Sequence, residues 1–289
     1  SINLLIGTHA IFEQNVIFNN LGYAVIDEQH RFGVKQRSKI WEKNNPPPHV
    51  LIMTATPIPR TLTMSLYGDL DLSIIDELPP GRKDVITVHR KDKNRLKVFG
   101  FIRDQIKQGR QIYIVYPLIE ESKKMDLKYL EDGLESITRE FDKENYSIGV
   151  MHGRMRSSNK DIEMNNFLNG KIDILISTTV IEVGVNVPNA SVMIIENAER
   201  FGLSQLHQLR GRVGRGKYDS YCVLMTNDKI SEDAKIRIDA MVNSNDGFKI
   251  SEVDLRLRGP GDVLGTKQSG VLDFKTVSYT HLTLPTKPS

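Results

Sequence analysis

The sequence predicts a parallel α/β fold, because short apolar segments alternate with amphipathic ones along most of its 289 residues. Several apolar segments contain hardly any polar residue, as expected for strands that are covered on both faces of a sheet. A hydrophobic content of 39% is ordinary for a globular protein and supplies enough apolar side chains for a full core. The predicted strands are Tyr23–Asp27, His49–Met53, Val85–His89, Gln111–Tyr116, Ser147–Met151, Ile172–Ile176, Ser191–Ile195 and Ser220–Met225.

The amphipathic segments between and after these strands predict helices. In the first of them, Leu96, Phe99, Ile102 and Ile106 recur at the spacing of one helix face. At the start of the chain, the apolar run Ile2–Ile6 predicts one more buried strand. The predicted helices are Lys93–Lys107, Leu127–Asp142, Ser158–Asn169, Ala234–Val242 and Gly247–Leu257.

Two prolines and a glycine make Asp76–Lys83 the clearest linker. It separates a partial α/β unit at 1–75 from a complete one at 76–228. No strand is predicted after Met225, so residues 229–276 are expected to form a small helical region. Residues 277–289 are rich in threonine and proline and lack acidic residues, so we interpret them as a vector-derived tail, with a native extended arm as the alternative.

Charge and cysteine content restrict the class of protein only loosely. The formal net charge of +3 and the pI of about 8.8 weakly favour an acidic partner such as nucleic acid. Cys222 is the only cysteine, so an internal disulfide is impossible and a reducing compartment is expected. No apolar run reaches the length of a membrane span, and no membrane partner is expected.

Two adjacent carboxylates end the first long apolar strand. Asp27 and Glu28 follow the run Tyr23–Ile26 directly, and Gln29 and His30 come next. Burying a strand that ends in two charges is costly unless the charges are used, and a Mg²⁺ ion that bridges nucleotide phosphates is one such use. We therefore expect Asp27 to hold the metal and Glu28 to polarise the attacking water. The alternative is an exposed acidic turn.

A second polar segment, Thr54–Thr61, follows the predicted strand His49–Met53. Small hydroxyl residues at the carboxyl end of a parallel strand lie where ligands bind in open sheets. Thr54 and Thr56 are therefore predicted to link a nucleotide site to a nucleic-acid track. Helix capping by Thr56 before Pro57 is the simpler alternative.

Two loops in the second α/β unit carry groups suited to phosphates. His152 and Arg154 flank a glycine after the strand Ser147–Met151, where a plain glycine turn is the alternative. Thr178 and Thr179 begin the segment Ser177–Pro188, whose hydroxyls can approach a phosphate backbone. In the same segment, Gly184 and Asn186 are candidates for binding nucleotide, with the Asn186 amide at a ribose hydroxyl. The alternative is a loop punctuated by glycine and proline.

The segment Gln205–Gly216 is the most specific indication of function in the sequence, because three arginines and three glycines are interleaved in it. Glycine costs about 1 kcal/mol relative to alanine inside a helix, so a purely structural helix would not favour this composition. Arginine has planar donors that fit the charge developing on a phosphoryl group. We therefore predict that Arg212 and Arg215 act as arginine fingers, with Gln208 beside them.

A glycine-rich stretch also follows the last predicted helix. Leu255–Gly270 combines glycine with basic and hydroxyl residues, including Arg258 and Gln268. Loops of this composition can hold a nucleic-acid backbone. A plain surface loop is the alternative.

Taken in order, these segments resemble the superfamily 2 helicases, and most closely the RecG family of branched-DNA helicases. The resemblance covers residues 2 to about 274 and is closest in Asp27–Arg37. It implies an α/β fold with RecA-like parallel sheets flanked by helices, one domain partial and one complete, followed by a helical hairpin and translocation motif. It also implies ATP and Mg²⁺ as cofactors and duplex or branched DNA as the partner.

The same resemblance assigns further roles. It places His30 in the coupling between the two sites, and it makes single-stranded-DNA-binding protein a further partner of a monomeric protein in the bacterial cytoplasm. It assigns nucleic-acid contacts to Gly7, Thr8, His9, His152, Arg154, Thr178, Thr179, Arg258 and Gln268.

One feature of these helicases is not found in the sequence. They hold the β- and γ-phosphates with a Gly-x-x-x-x-Gly-Lys-Thr loop, and no such motif occurs in the 289 residues. We therefore expect the chain to be a C-terminal piece that lacks this loop and the wedge domain, and to be inactive alone. Two other functions remain open, a transcription-repair coupling factor and a RecA-like module that binds nucleic acid without hydrolysing ATP.

Overall fold

The computed structural model describes residues 2–13, 15–28, 40–41, 43–54, 71–75, 77, 82–117, 133–142, 145–178 and 186–258. Its main element is a six-stranded, entirely parallel sheet with the strand order β3-β8-β7-β4-β6-β5. A separate parallel pair, β1 and β2, lies earlier in the chain. The strands are β1 Tyr23–Ile26, β2 His49–Ile52, β3 Val85–Lys91, β4 Gln111–Tyr116, β5 Ile148–Met151, β6 Ile174–Thr178, β7 Ala190–Ile195 and β8 Ser220–Thr226.

Helices cover both faces of the six-stranded sheet and make three layers. On one face, α1 and the helical residues 133–140 pack against the sheet through Phe99, Ile102 and Ile137. On the other face, the remaining helices pack through Phe167, Leu206, Ile238 and others. The labelled helices are α1 Arg95–Lys107, α2 Ser157–Leu168, α3 Leu203–Arg210, α4 Glu232–Asn243 and α5 Gly247–Arg258.

The central strands are buried completely, which explains why their sequences lack alternation. Every residue of β4, β6 and β7 is buried, because helices cover both faces and a neighbouring strand lies on each side. Parallel pairing in turn requires the long crossovers that α1, α2 and α3 supply.

Eight of the nine predicted strands are present among the described residues, with ends that differ by no more than two positions. The predicted helices are confirmed where the structure describes them, at α1, α2, α4, α5 and residues 133–140. Residues 127–132 of the predicted second helix lie outside the described ranges. Within those ranges, no helix has both the length and the apolar character needed to cross a bilayer.

The strand predicted at Ile2–Ile6 is absent, and that prediction is wrong. Residues 2–7 form no strand, since Ile2 and Ile6 are 83% and 84% exposed and the described β1–β2 pair does not extend to them. A single 3₁₀ turn, His9–Phe12, follows instead. The segment Gln205–Gly216 is helical only in its first half, as part of α3. The helix ends at Arg210, before the first of the three glycines, so glycine does not weaken it.

Candidate functional site

The candidate residues of the second α/β unit lie at two opposite edges of the six-stranded sheet. Because all six strands run in one direction, the residues that follow strands gather at the carboxyl edge. Residues that precede strands gather at the amino edge. His152 follows β5 and Thr178 ends β6, so both lie at the carboxyl edge. Arg212, Arg215 and Asn186 lie at the amino edge, for the reasons given next.

Helix α3 carries the arginine segment from one edge to the other. It connects the end of β7 to the start of β8 and therefore runs back across the sheet. Leu203, Leu206 and Leu209 anchor it, all three buried in the core. Gly202 precedes the helix, and its backbone N–H donates to the side chain of Gln205 over 3.3 Å. The arginines therefore emerge where α3 ends, at the amino edge.

Two glycines fix the path of the loop between α3 and β8, residues 211–219, which we call the arginine loop. Gly214 has φ +77°, and a Cβ on it would lie 2.8 Å from Val85 Cγ2, at the start of β3. A Cβ on Gly216 would overlap the carbonyl oxygen of Pro188, just before β7. Only glycine fits both positions without a shift of the backbone. These two glycines thus have a packing role.

Guanidinium groups cluster on this loop. The Nε of Arg215 donates to the carbonyl oxygen of Gly211 over 3.1 Å. Burial lowers the pKa of Arg215, and the positive charges of Arg212 and Arg82 lower it further. Burial likewise raises the pKa of Tyr113 to about 12, although Arg212 and Arg215 oppose that rise. Like charges held together in this way favour the binding of an anion that relieves their repulsion.

Asn186 lies near the same loop. It is exposed and precedes Val187, which is buried in the core, and Pro188, whose carbonyl borders Gly216. The structure therefore brings Asn186 and the arginine loop to one edge. Gln208 is half-buried on α3, one helical turn before Arg212.

Sequence analysis overlooked the role of Arg210. Its side chain is only 3% exposed, and Nη1 donates to the carbonyl oxygens of Met241 over 2.9 Å and of Ser244 over 2.8 Å. Nη2 lies 3.1 Å from Nδ1 of His207. Arg210 thus ties the end of α3 to the end of α4. Sequence alone offered no sign that this arginine differs from the two that follow it.

The carboxyl edge carries two buried polar atoms without partners among the described residues, His152 Nδ1 and Thr178 Oγ1. Met151 pairs with Ser177 in the β5–β6 register, so His152 and Thr178 follow on neighbouring strands. Burial lowers the pKa of His152, and the charges of Lys160 and Arg154 act in the same direction. Buried polar groups are nearly always hydrogen-bonded, so two such atoms on neighbouring strands make this edge a candidate ligand site.

The β1–β2 pair brings the acidic residues next to Thr54. Ile26 pairs with Ile52, so Asp27 and Glu28 follow β1 beside the residues that follow β2. The backbone N–H of Glu28 donates to Oδ1 of Asp27 over 2.8 Å, and Glu28 has φ 50°, in the left-handed region. A non-glycine residue held there costs about 1–2 kcal/mol, and such strain clusters at functional sites.

The other candidate residues lie in several parts of the chain. His30, Thr56, Thr179, Gly184 and Gln268 lie outside the described residues. Gly7 and Thr8 are exposed, His9 begins the 3₁₀ turn, and Arg258 ends α5. Among the described residues, no group of three or more histidine, cysteine or acidic side chains could by itself hold a metal ion. Asp27 nevertheless fits Mg²⁺, which commonly takes one or two carboxylates together with substrate phosphates.

Three protein-family models match the chain. The Helicase conserved C-terminal domain matches residues 93–217, which include the sheet strands β4 to β7 and the arginines that follow α3. The DEAD/DEAH box helicase model matches residues 1–65. The chain thus contains a RecA-like helicase fold, as sequence analysis predicted. A third model, ATP-dependent DNA helicase RecG, domain 3, C-terminal, matches residues 244–280.

Individual relatives agree with the third model. ATP-dependent DNA helicase RecG of Synechocystis is 56% identical over 275 residues, which are 95% of this chain and 33% of that protein. The Bacillus subtilis RecG is 50% identical over 280 residues, or 97% of this chain and 41% of that protein. The chain belongs to the RecG family. It spans about a third to two-fifths of the length of these curated relatives.

Solved structures that resemble the chain also include a RecG. A RecG bound to a three-way DNA junction matches with a TM-score of 0.69 and 46% identity, over 89% of this chain and 33% of that one. The yeast RNA-bound protein Dbp5 with ADP and BeF3 matches with a TM-score of 0.53 and 16% identity, over 89% of this chain and 67% of that one. The second likeness supports the fold alone.

Proposed function

We propose that this chain forms part of an ATP-dependent DNA helicase that remodels branched DNA such as forks and Holliday junctions. The observation that carries the proposal is the cluster of Arg82, Arg212 and Arg215 at the amino edge of the sheet. Arg82 precedes β3, and the other two lie on a loop whose path Gly214 and Gly216 fix. A solvated basic surface has no need of such a fixed loop. The relatives that are named RecG helicases support the same reading.

ATP is proposed to bind with its phosphates at this cluster. Arg212 and Arg215 offer planar donors to the oxygens of the γ-phosphate, where charge develops as the bond breaks. Gln208 lies in the last turn of α3, before the arginine loop, and is proposed to assist them. Asn186 is proposed to bind the ribose, and Gly184 is proposed as a further contact to the nucleotide. An arginine supplied in this way can raise the rate by about 10³–10⁵.

The residues for the metal ion and the attacking water are proposed to lie at the end of β1. Asp27 would hold Mg²⁺ through its exposed carboxylate, and Glu28 would orient and polarise the attacking water. When bound, Mg²⁺ neutralises charge on the phosphates. Glu28 has a strained backbone, and it follows β1 beside the residues that follow β2.

DNA is proposed to contact the carboxyl edge of the sheet. His152 and Thr178 would use their unpaired buried atoms there, and Arg154 and Thr179 would add contacts to phosphates. Gly7–His9 in the first unit are proposed to contact the same strand of nucleic acid. Separation of the two sites on opposite edges means that hydrolysis and DNA contact can be altered independently.

Coupling between the sites is proposed to use residues near both. His30, Thr54 and Thr56 would transmit the state of the nucleotide within the first unit. Arg258 and Gln268, at and beyond the end of α5, would grip duplex DNA and move with domain closure. Changes at these two positions should reduce fork unwinding much more than ATP hydrolysis.

The domain boundaries and partners remain part of the proposal. We assign residues 1–75 to the first RecA-like domain, 76–228 to the second, 229–276 to the hairpin and translocation motif, and 277–289 to a tail. We further propose a monomer in the bacterial cytoplasm that interacts with single-stranded-DNA-binding protein.

The test is an ATPase and fork-unwinding assay on the intact protein, with and without Arg215→Ala. We expect turnover that depends on DNA and falls at least about 10³-fold in the variant, with DNA affinity nearly unchanged. Arg215→Lys should restore little of the lost ATP turnover, because lysine lacks the planar donors of arginine. Full turnover in Arg215→Ala would exclude the finger, and an unaltered protein without DNA-dependent turnover would exclude the helicase.

A further inference from the structure

A stacked arginine–tyrosine pair lies at the amino edge, outside the residues used so far. The Arg110 guanidinium carbon lies 3.1 Å from the centre of the Tyr218 ring, and the Lys217 ammonium lies 5.3 Å from it. Arg110 immediately precedes β4, and Tyr218 comes two residues before β8. Tyr218 is partly exposed, so the pair does not belong to the core.

The arginine of this pair is held by a chain of hydrogen bonds that begins in the core. Buried Gln111 donates to the carbonyl oxygen of Ile172 over 2.8 Å. Asn189 Nδ2 donates to Oε1 of Gln111 over 3.3 Å, and to the carbonyl oxygen of Gly109 over 2.8 Å. Asn189 Oδ1 then accepts from Nη1 of Arg110 over 3.2 Å. A surface arginine tied down in this way is preorganised for a planar ligand.

The pair lies close to the arginine loop. Tyr218 is three residues after Arg215, a separation that an extended chain spans in about 10 Å. Between them, Gly216 packs on the carbonyl of Pro188, next to Asn189. The proposed phosphate-binding and ribose-binding groups and the planar pair thus lie along a single edge of the sheet.

We propose that Arg110 and Tyr218 form the platform on which the base of the bound nucleotide stacks. This inference rests on the proposed function, since it takes the phosphates of ATP to lie at Arg215. A flat guanidinium and a phenol ring together offer the surface that a purine prefers. DNA is the less suitable occupant, because the residues proposed to contact it lie at the opposite edge of the sheet.

The experiment compares the affinity of the intact protein for ATP with its affinity for inorganic tripolyphosphate, which has no base. Equilibrium titration measures both without turnover. Tyr218→Leu, which keeps bulk but removes the ring, should weaken ATP binding roughly tenfold and leave tripolyphosphate binding within about twofold. Arg110→Met should act in the same direction, and Tyr218→Phe should restore ATP binding. Lys171→Ala, an exposed change at the same edge, is the control.

Several results would overturn the inference. Equal loss of ATP and tripolyphosphate binding in Tyr218→Leu, or no loss of either, would mean that the pair does not contact the base. Weaker DNA binding with unchanged ATP binding would assign the pair to DNA. In each of these cases Arg215→Ala should still weaken the binding of both ATP and tripolyphosphate, so the proposed function stands. If Arg215→Ala changes neither affinity, the nucleotide site itself is wrong, and the platform with it.

Discussion

The guanidinium of Arg210 donates to the backbone carbonyl of Met241 over 2.9 Å, although 31 residues separate the two positions. The same Nη1 atom also reaches the carbonyl of Ser244. Because Arg210 ends α3 and Met241 lies in the last turn of α4, the contact joins the helix that leads into the arginine loop to the following helical pair. The arginine loop is therefore fixed on one side by glycine packing and on the other by this brace.

Arg210→Met should reduce the free energy of unfolding. The change keeps the apolar stem but leaves the carbonyls of Met241 and Ser244 without this donor, at about 1–3 kcal/mol for each group. It also removes the cost of burying a charge, so we expect a net loss of about 1–3 kcal/mol. Urea denaturation measures it. Arg154→Met, an exposed change, should stay within about 0.5 kcal/mol. Equal stability of the two variants would mean that the brace contributes nothing.

His207 should make the fold sensitive to acid. Burial lowers its pKa from 6.5 to about 4, and the nearby charge of Arg210 contributes. The folded protein thus favours the neutral ring, whose contribution is fully present above pH 6.5 and is lost as the pH falls through about 4. That contribution is at most about 3 kcal/mol.

His207→Asn keeps an acceptor for Arg210 but cannot titrate in this range. We therefore expect its unfolding free energy to fall less steeply than that of the unaltered protein between pH 6.5 and 4. Denaturation curves at several pH values measure the slope, with the exposed His49→Asn as the control. Identical slopes for His207→Asn and the unaltered protein would assign the acid sensitivity to other groups.

Two substitutions of Glu28 should separate backbone strain from chemistry. Glycine adopts φ 50° without strain and alanine does not, so Glu28→Gly should unfold at a higher temperature than Glu28→Ala. Both remove the carboxylate, and ATP turnover of the intact protein should fall about 10²–10⁴-fold in each. Thermal melting and ATPase assays on the same samples check both points. A less stable glycine variant would contradict the backbone assignment, and retained turnover would contradict the catalytic one.

Gly216→Ala should disturb the arginine loop, because the added methyl group would overlap the carbonyl of Pro188. We expect a loss of about 1–3 kcal/mol in unfolding free energy, as for other overpacked sites. Nucleotide binding should weaken as Arg215 is displaced. Gly211→Ala is the matched control, since its methyl group would lie 3.4 Å from the nearest atom and its φ is −66°. Denaturation and tripolyphosphate titration measure both variants, and equal behaviour would refute the packing role.

The sequence determined the order and type of the described strands and of most helices. Completely apolar runs such as Ile112–Val115 can be stable only in strands covered on both faces, and the glycines and prolines between them mark the turns. The strand predicted at Ile2–Ile6 is absent because apolar character alone does not make a strand. An apolar run specifies a strand only where a neighbour pairs with it, and a single sequence does not identify that neighbour.

Only the tertiary structure distinguishes the positions and contacts of the three arginines. Arg210, Arg212 and Arg215 are equivalent in a sequence pattern, but α3 ends with Arg210 facing the core and sends the other two onto the loop. The partners of Arg210 and the pairing of Arg110 with Tyr218 join residues far apart in the chain. The division between two sheet edges likewise follows from strand direction. Such contacts depend on the packing of whole helices and strands, and local composition does not encode them.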